Sequence, residues 1–295
     1  MFLQQLINGL TLGGVYALIA VGYTMVYGVI QLINFAHGEI YMFGAFLAYT
    51  FAGTLGVPFY LAMVLSMLCC AGLGMLIDLV AYRPLRLAPR LAALITAIGV
   101  SLFLQNLARI LWGAQNKPFP HAAVPAYLHE TALRFAGVTV SYLQLFMFAV
   151  TLAMMASLHF IITRTRYGKA MRACAQDRVA AYLMGIDMDR IVTATFALGS
   201  AMGAVAGVLV GVYFNVIFPT MGYTAGVKAF AAAVLGGIGN VPGAMLGGLV
   251  LGIGEAFGAA YLSSLYSHGI AYAIMILVIV LRPYGLLGKR EGVKS

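Results

Sequence analysis

The chain has 295 residues, 63% of them hydrophobic and only 8% charged, with a formal net charge of +9 and a mean hydropathy of +0.98. Soluble domains carry about a quarter charged residues, so this composition excludes a water-soluble globular protein and describes a polytopic integral membrane protein. Its 35 glycines suit a bundle in which small residues let helix backbones approach closely, because apolar burial does not drive association inside lipid.

The N-terminal MFLQQLING has neither a basic n-region nor a small-residue cleavage site, so the first apolar stretch, 6–29, is expected to be a retained span. A polar, glycine-containing interruption follows at 31–39 (QLINFAHGE), and a second lies at 236–243 (GGIGNVPG). Irregular backbone between hydrocarbon-length segments survives only where protein or a water-lined cavity satisfies its N–H and C=O groups, and paired interruptions in two halves mark a transport pathway. Asn34, His37 and Glu39 from the first break and Asn240 from the second are therefore candidate pathway residues. A single histidine beside a helix break also serves to hydrogen-bond the freed backbone, and His37 is read in that sense rather than as a proton-responsive group.

Further spans are expected at 59–81, 91–112, 142–163, 191–217 and 267–282, each long enough to cross a bilayer. Shorter apolar runs at 38–53, 225–237 and 242–260 read as discontinuous or half-length helices. The expectation is an all-α polytopic membrane protein of about eight or nine transmembrane segments, some short or broken. It forms a single transmembrane permease domain over 1–295, with an internal repeat as an open option. Cys69 and Cys70 are adjacent in an apolar span and Cys174 lies in a charged loop, so neither a disulfide framework nor metal-ligand spacing is expected.

Lys and Arg collect in cytoplasmic loops. Arg83, Arg86 and Arg90 crowd the loop 82–90, basic residues recur through 164–190 and 282–295, and the long loop 113–141 has only Lys117 and Arg134. This places 82–90, 164–190 and the C-terminus in the cytoplasm, and by counting three segments before Tyr82 it puts the N-terminus outside. The proline-containing loop 113–141 is either an ordinary connector or a surface that receives a soluble partner. The basic charge orients the protein, and without interleaved aromatic recognition motifs it does not argue for nucleic-acid binding. Asp78, near a cytoplasmic helix end, has Arg83 and Arg86 at hand as partners.

The loop 164–190 reads as a short amphipathic helix over 169–184, with Met171, Cys174, Val179, Tyr182 and Leu183 offering apolar contacts, and Gly185 as its stop. Such a helix standing clear of the membrane is what a permease presses into a motor subunit; the alternative is a solvated loop that enforces topology. Gly199, Gly203, Gly207 and Gly211 recur at every fourth residue and form a ridge on one helix face for close backbone packing. Gly243/Gly247, Gly248/Gly252 and Gly254/Gly258 repeat the spacing, for a close helix pair or a subunit interface. Ionisable groups at membrane depth are functional candidates by default. Lys228 and Glu255, of opposite charge on segments flanking the GGIGNVPG turn, are either a buried structural ion pair or pathway-lining residues.

Enzymatic readings find no support. The chain lacks G-x-x-x-x-G-K-[ST], H-E-x-x-H and G-x-S-x-G, and Pro242 stands where a dinucleotide fingerprint would need its third glycine after Gly237 and Gly239. A non-catalytic transport subunit follows, with no cofactor of its own and any ATP used by partners.

Asn34-Phe35-Ala36-His37-Gly38-Glu39, Arg83-Pro84-Leu85, the run from Arg172 to Gly185 with Ala175-Gln176-Asp177, Lys228-Ala229-Phe230, Val234 to Asn240, Gly243-Ala244, Gly247-Gly248 and Glu255 occur in one order and spacing. In these the chain resembles, over nearly its whole length, the LivH-type permease of branched-chain amino-acid ABC importers. The resemblance implies a heteromeric importer: this subunit, a LivM-type permease, two cytoplasmic ATPase subunits and an extracytoplasmic substrate-binding protein, in a bacterial or archaeal plasma (inner) membrane. It implies that Arg172, Ala175, Asp177, Arg178 and Gly185 belong to the ATPase-coupling element. LivH-like permeases for urea, amides, aromatic or organic acids, and an ion-coupled secondary transporter, are the alternatives.

Overall fold

The structure is a computed structural model that describes residues 1–86, 88–135, 137–263, 267–282 and 284–288. The basic run of the C-terminal tail at 289–295 therefore lies outside the described residues. Helix α1 (Phe2–Ile30) ends at Gln31, whose left-handed backbone (φ 53) turns the chain sharply. Residues 31–36 are irregular and run back along α1, and α2 (His37–Tyr49) begins beside Gly22, where an added Cβ would strike the His37 ring. Gly22 lies about two turns, roughly 12 Å, inside the end of α1, so α2 starts at membrane depth. The irregular segment satisfies its backbone locally, with His37 N–H donating to the Asn34 carbonyl (3.0 Å) and Glu39 N–H to that of Ala36 (3.1 Å).

The chain continues through a π-helical turn, Thr50–Thr54, to α3 (Phe59–Ile77), which ends in a second π turn, Asp78–Tyr82. Then come α4 (Arg90–Trp112), strands β1 (Thr131–Phe135) and β2 (Val138–Ser141), and α5 (Tyr142–Arg164). The two strands pair antiparallel as a small hairpin within the loop 113–141 of a protein whose architecture is otherwise helical, as expected. Short helices α6 (Arg166–Gln176) and α7 (Arg178–Leu183) precede α8 (Met188–Tyr213), α9 (Met221–Gly236), α10 (Val241–Tyr261) and α11 (Ser267–Leu281).

Among the described residues six helices are long and apolar enough to cross a membrane, and α10 is one of them. It is a full-length helix, not the half-length one expected at 242–260, because Asn240 caps it and Pro242 opens its first turn. Helix α11, expected as a full span, is instead among the shorter apolar helices. The centre of the bundle is α1 and α8, 89% and 83% buried over their apolar windows, whereas α3 and α5, at 28% and 22%, present most of their surface outward.

Glycine makes the centre dense. On α10, Gly243 and Gly247 meet the α9 backbone at Gly236 and Ala232, Gly248 and Gly252 meet α1 at Ala17 and Gly13, and Gly254 and Gly258 receive Ile274 and Ile270 of α11. All three spacings are thus occupied within the chain rather than by a second subunit. On α8, Gly199 lies against Gly22 of α1, Gly203 against the His37 ring, Gly207 against the Tyr41 carbonyl, and Gly211 against Ile217 and Phe119.

Two contacts define the ends of the bundle. Gln4 exchanges hydrogen bonds with Thr139 on β2 (3.1 and 2.8 Å), so the N-terminus and the hairpin share one end. Arg83 and Arg86 both pair with Asp189, which joins the loops 82–90 and 164–190 at the other.

Candidate substrate cavity and coupling surface

Because α1, α9 and α10 touch through glycine, three side chains meet between them. Lys228 Nζ on α9 donates to Glu255 Oε1 on α10 (2.5 Å) and to the Tyr16 hydroxyl on α1 (3.2 Å), and that hydroxyl donates to Glu255 Oε2 (2.9 Å). Lys228 and Glu255 are only 4% and 6% exposed. Neither charge could be buried alone at this depth, and the pair neutralises both. Together they form the polar floor of a cavity of about 380 Å³ whose walls include Leu12, Val210, Phe218, Met221 and Ala225. The pair is both an ion pair and a cavity lining.

Glu39 lies elsewhere. Its carboxylate Oε1 accepts from Ser101 Oγ (2.9 Å) and Gln105 Nε2 (2.8 Å) on α4, while Oε2 faces Gly222 of α9 without a hydrogen-bond partner. A crevice of about 280 Å³ flanks this cluster, lined by Tyr23, Phe35, Ser101, Gln105 and Val227. His37 packs edge-on against Tyr23 at 4.9 Å, and Asn34 Oδ1 accepts from Tyr82 (2.9 Å).

Asn240 joins neither group. It caps α10 through Gly243 N–H (3.3 Å) and donates to the Leu287 carbonyl (2.7 Å). Gly28 and Arg172 lie near Gly239 in the same corner. The second break is therefore a tight turn at the end of the bundle that carries the basic loops, not an interruption at membrane depth. Gly237 and Gly239, with φ of 101° and 92°, supply the left-handed backbone that turn requires.

The loop 164–190 folds as two helices where one was expected over 169–184. Asp177 divides them because its carboxylate accepts from Val179 and Ala180 N–H (2.9 and 3.0 Å) and caps α7. Met171 and Cys174 face inward, whereas Tyr182, Leu183 and Met184 are 73%, 77% and 83% exposed. Gly185 (φ 80°) follows as the stop. Arg172 donates to the Ile162 carbonyl at the end of α5, Ala175 sits in the shallow pocket beside Gly239, and Arg178 lines a pocket with Arg83, Arg86 and Asp189. From Asp189 the contacts run inward: Arg86 chelates the fully buried Asp78 (2.9 and 3.0 Å), which also accepts from Thr193 (2.6 Å).

Tyr16, Tyr82, Ser101 and Gln105 were not singled out from the sequence. Ser101 and Gln105, one turn apart in an apolar span, did carry a signal, since polar side chains at that spacing share a helix face. Tyr16 and Tyr82 carried none, for tyrosines are common among the 295 residues.

The family described as "Branched-chain amino acid transport system / permease component" matches residues 5–279. The high-affinity branched-chain amino acid transport system permease protein BraD of Pseudomonas aeruginosa is 48% identical, with 98% of this chain and 97% of that protein covered. The permease protein LivH of Escherichia coli, of the same description, is 45% identical over 98% of this chain and 96% of that protein. Among solved structures, a chain of PsaBC from Streptococcus pneumoniae in complex with Fab superposes with a TM-score of 0.50 at 11% identity, covering 96% of this chain and 93% of that one, a likeness of fold alone. Family match and near full-length identity agree with the helical architecture: this chain belongs to the permease-component family of branched-chain amino acid transport systems.

Proposed function

We propose that the chain is one of two membrane subunits of an ATP-driven importer that moves leucine, isoleucine and valine across a bacterial or archaeal plasma membrane. Its partners would be a LivM-type permease, two cytoplasmic ATPase subunits and an external binding protein. The observation that carries this reading is the solvent-facing apolar cluster Tyr182, Leu183 and Met184 at the end of α7, in a chain similar over nearly its whole length to branched-chain amino acid permeases. A soluble motor subunit that covers this cluster would push on α7, and the Asp189–Arg86–Asp78 contacts would pass the displacement to α3 and α8. The positive-inside distribution supports a cytoplasmic position for this end, with the N-terminus and hairpin outside.

The test is ATP hydrolysis in proteoliposomes holding the chain with its permease, ATPase and binding-protein partners, with leucine, isoleucine, valine, urea and an aromatic acid added in turn. Stimulation by the three branched-chain amino acids alone is expected. Stimulation by urea or the aromatic acid would reassign the substrate. Transport along an ion gradient without the ATPase would overturn the reading.

A further inference from the structure

We infer that the cavity floored by Tyr16, Lys228 and Glu255 is a binding site for a zwitterionic α-amino acid within this subunit: Lys228 takes the carboxylate, Glu255 the ammonium, and the apolar wall the side chain. The inference deepens the import reading above and rests on it for the class of substrate.

The hydrogen-bond inventory leaves room for such a ligand. An ammonium group has three N–H donors; Lys228 spends two, on Glu255 and on Tyr16. A carboxylate has about four acceptor positions; Glu255 uses one on each oxygen, for Lys228 and for Tyr16. The floor is therefore short of one acceptor and has spare capacity for a donor, the complement of an amino-acid head group. Both side chains face the same cavity rather than being sealed between helices.

Charge balance points the same way. A transport site must be stable when empty, and at membrane depth an unpaired charge is expensive. Lys228 and Glu255 close on each other when no ligand is present. An entering zwitterion lets each charge exchange its partner for one of the same sign, so the net charge of the cavity stays zero throughout. Tyr16 holds Glu255 through Oε2, which keeps the carboxylate oriented while Lys228 shifts. Walls of Leu12, Val210, Phe218 and Met221 suit a branched aliphatic side chain, with Tyr41 and Thr224 the polar members of the lining beyond the floor and the Thr224 hydroxyl spent on the Met221 carbonyl. The volume, about 380 Å³, lies at the small end of the roughly 300–1,000 Å³ of small-molecule sites.

The experiment places a reporter thiol in the wall by Ala225→Cys, with the exposed Cys69 changed to serine, in the assembled complex without ATP. Alkylation by a small thiol reagent is timed with leucine, with 4-methylpentanoate, which lacks the ammonium, and with isoamylamine, which lacks the carboxylate. Leucine at four times its dissociation constant is expected to slow alkylation about fivefold, and the two analogues are expected to leave it unchanged. Adding Lys228→Met with Glu255→Gln, which removes both charges together and so leaves none orphaned, is expected to abolish the protection. The inference is overturned if leucine gives no protection, if either analogue protects as well, or if protection survives the double change. Failure here with leucine-stimulated hydrolysis intact would remove the site and leave the import reading standing. Protection in a chain that ignores its ATPase would do the reverse.

Discussion

Tyr82 donates its hydroxyl hydrogen to Asn34 Oδ1 across 2.9 Å and so fastens the end of α3 nearest the loop 164–190 to the irregular segment that leads into α2. Both residues are buried, and the Asn34 amide nitrogen has no partner of its own. Tyr82→Phe keeps the ring packed on Phe196 but strips the amide of this bond, at a cost of about 1–3 kcal/mol. Lower thermal stability and less substrate moved per ATP are expected. Unchanged values of both would show that the bond fastens nothing.

Arg86 is the cationic partner of the fully buried Asp78. Arg86→Ala leaves that carboxylate with Thr193 alone and is expected to lower stability by about 3–5 kcal/mol, whereas neutralising both residues together with Asp78→Asn and Arg86→Gln restores most of it. Thermal unfolding of the single and double variants in detergent decides the matter, and equal losses in both would refute the charge argument.

Gly252→Ala would drive a methyl group into the α1 backbone at Gly13, while Gly99→Ala on α4 meets nothing within 4 Å. The first is expected to abolish recovery of folded protein and the second to leave it unchanged, as size-exclusion profiles would report.

Leu183→Asp alters a side chain that is 77% exposed, so the permease itself should fold normally, within about 0.5 kcal/mol. Loss of ATPase co-purification from an otherwise intact membrane subunit is the expected result. Retained co-purification would move the coupling surface elsewhere.

Cys174 points inward from α6 and is 1% exposed. Burial pushes its thiol above the ordinary cysteine range, and the Arg178 cation draws it only part of the way back. The folded state thus favours the neutral thiol. That contribution to stability is complete below the unfolded thiol's pKa, about 8.5, and is lost as pH rises toward the folded value. Alkylation of a Cys69→Ser variant is accordingly expected to accelerate only at higher pH than that of a free thiol. A rate that tracks the free thiol would contradict the inward packing.

Most of the spans were legible because twenty apolar residues in a row have few other uses. The break before His37 was legible as well, since Asn, His and Glu do not enter hydrocarbon without cause. The turn at 236–243 was placed wrongly in depth, because glycine, asparagine and proline mark a sharp turn whether it lies in the middle of a membrane or at its edge. Asp177 could have divided the helix expected over 169–184: an aspartate ahead of Arg178-Val179-Ala180 is an N-cap signal, overridden by the apolar pattern on either side. Lys228 and Glu255 could be matched by charge, but nothing local could announce Tyr16, which is 239 positions from Glu255 in the chain.

The glycine seams of α10 have a mechanical consequence. Where backbone rests on backbone there are no side-chain rotamers to exchange, so α1, α9 and α10 cannot slip past one another by small repacking steps as ordinary helices do in shear motions. They would travel as a single block. The same kind of contact joins α8 to α1 at Gly199 and Gly22 and to α2 at Gly207 and the Tyr41 carbonyl, so an alternating movement of the permease would be borne by the joints around the whole block, such as the α1–α5 contact where the Thr151 side chain meets Gly14, and the block itself would serve as the axle.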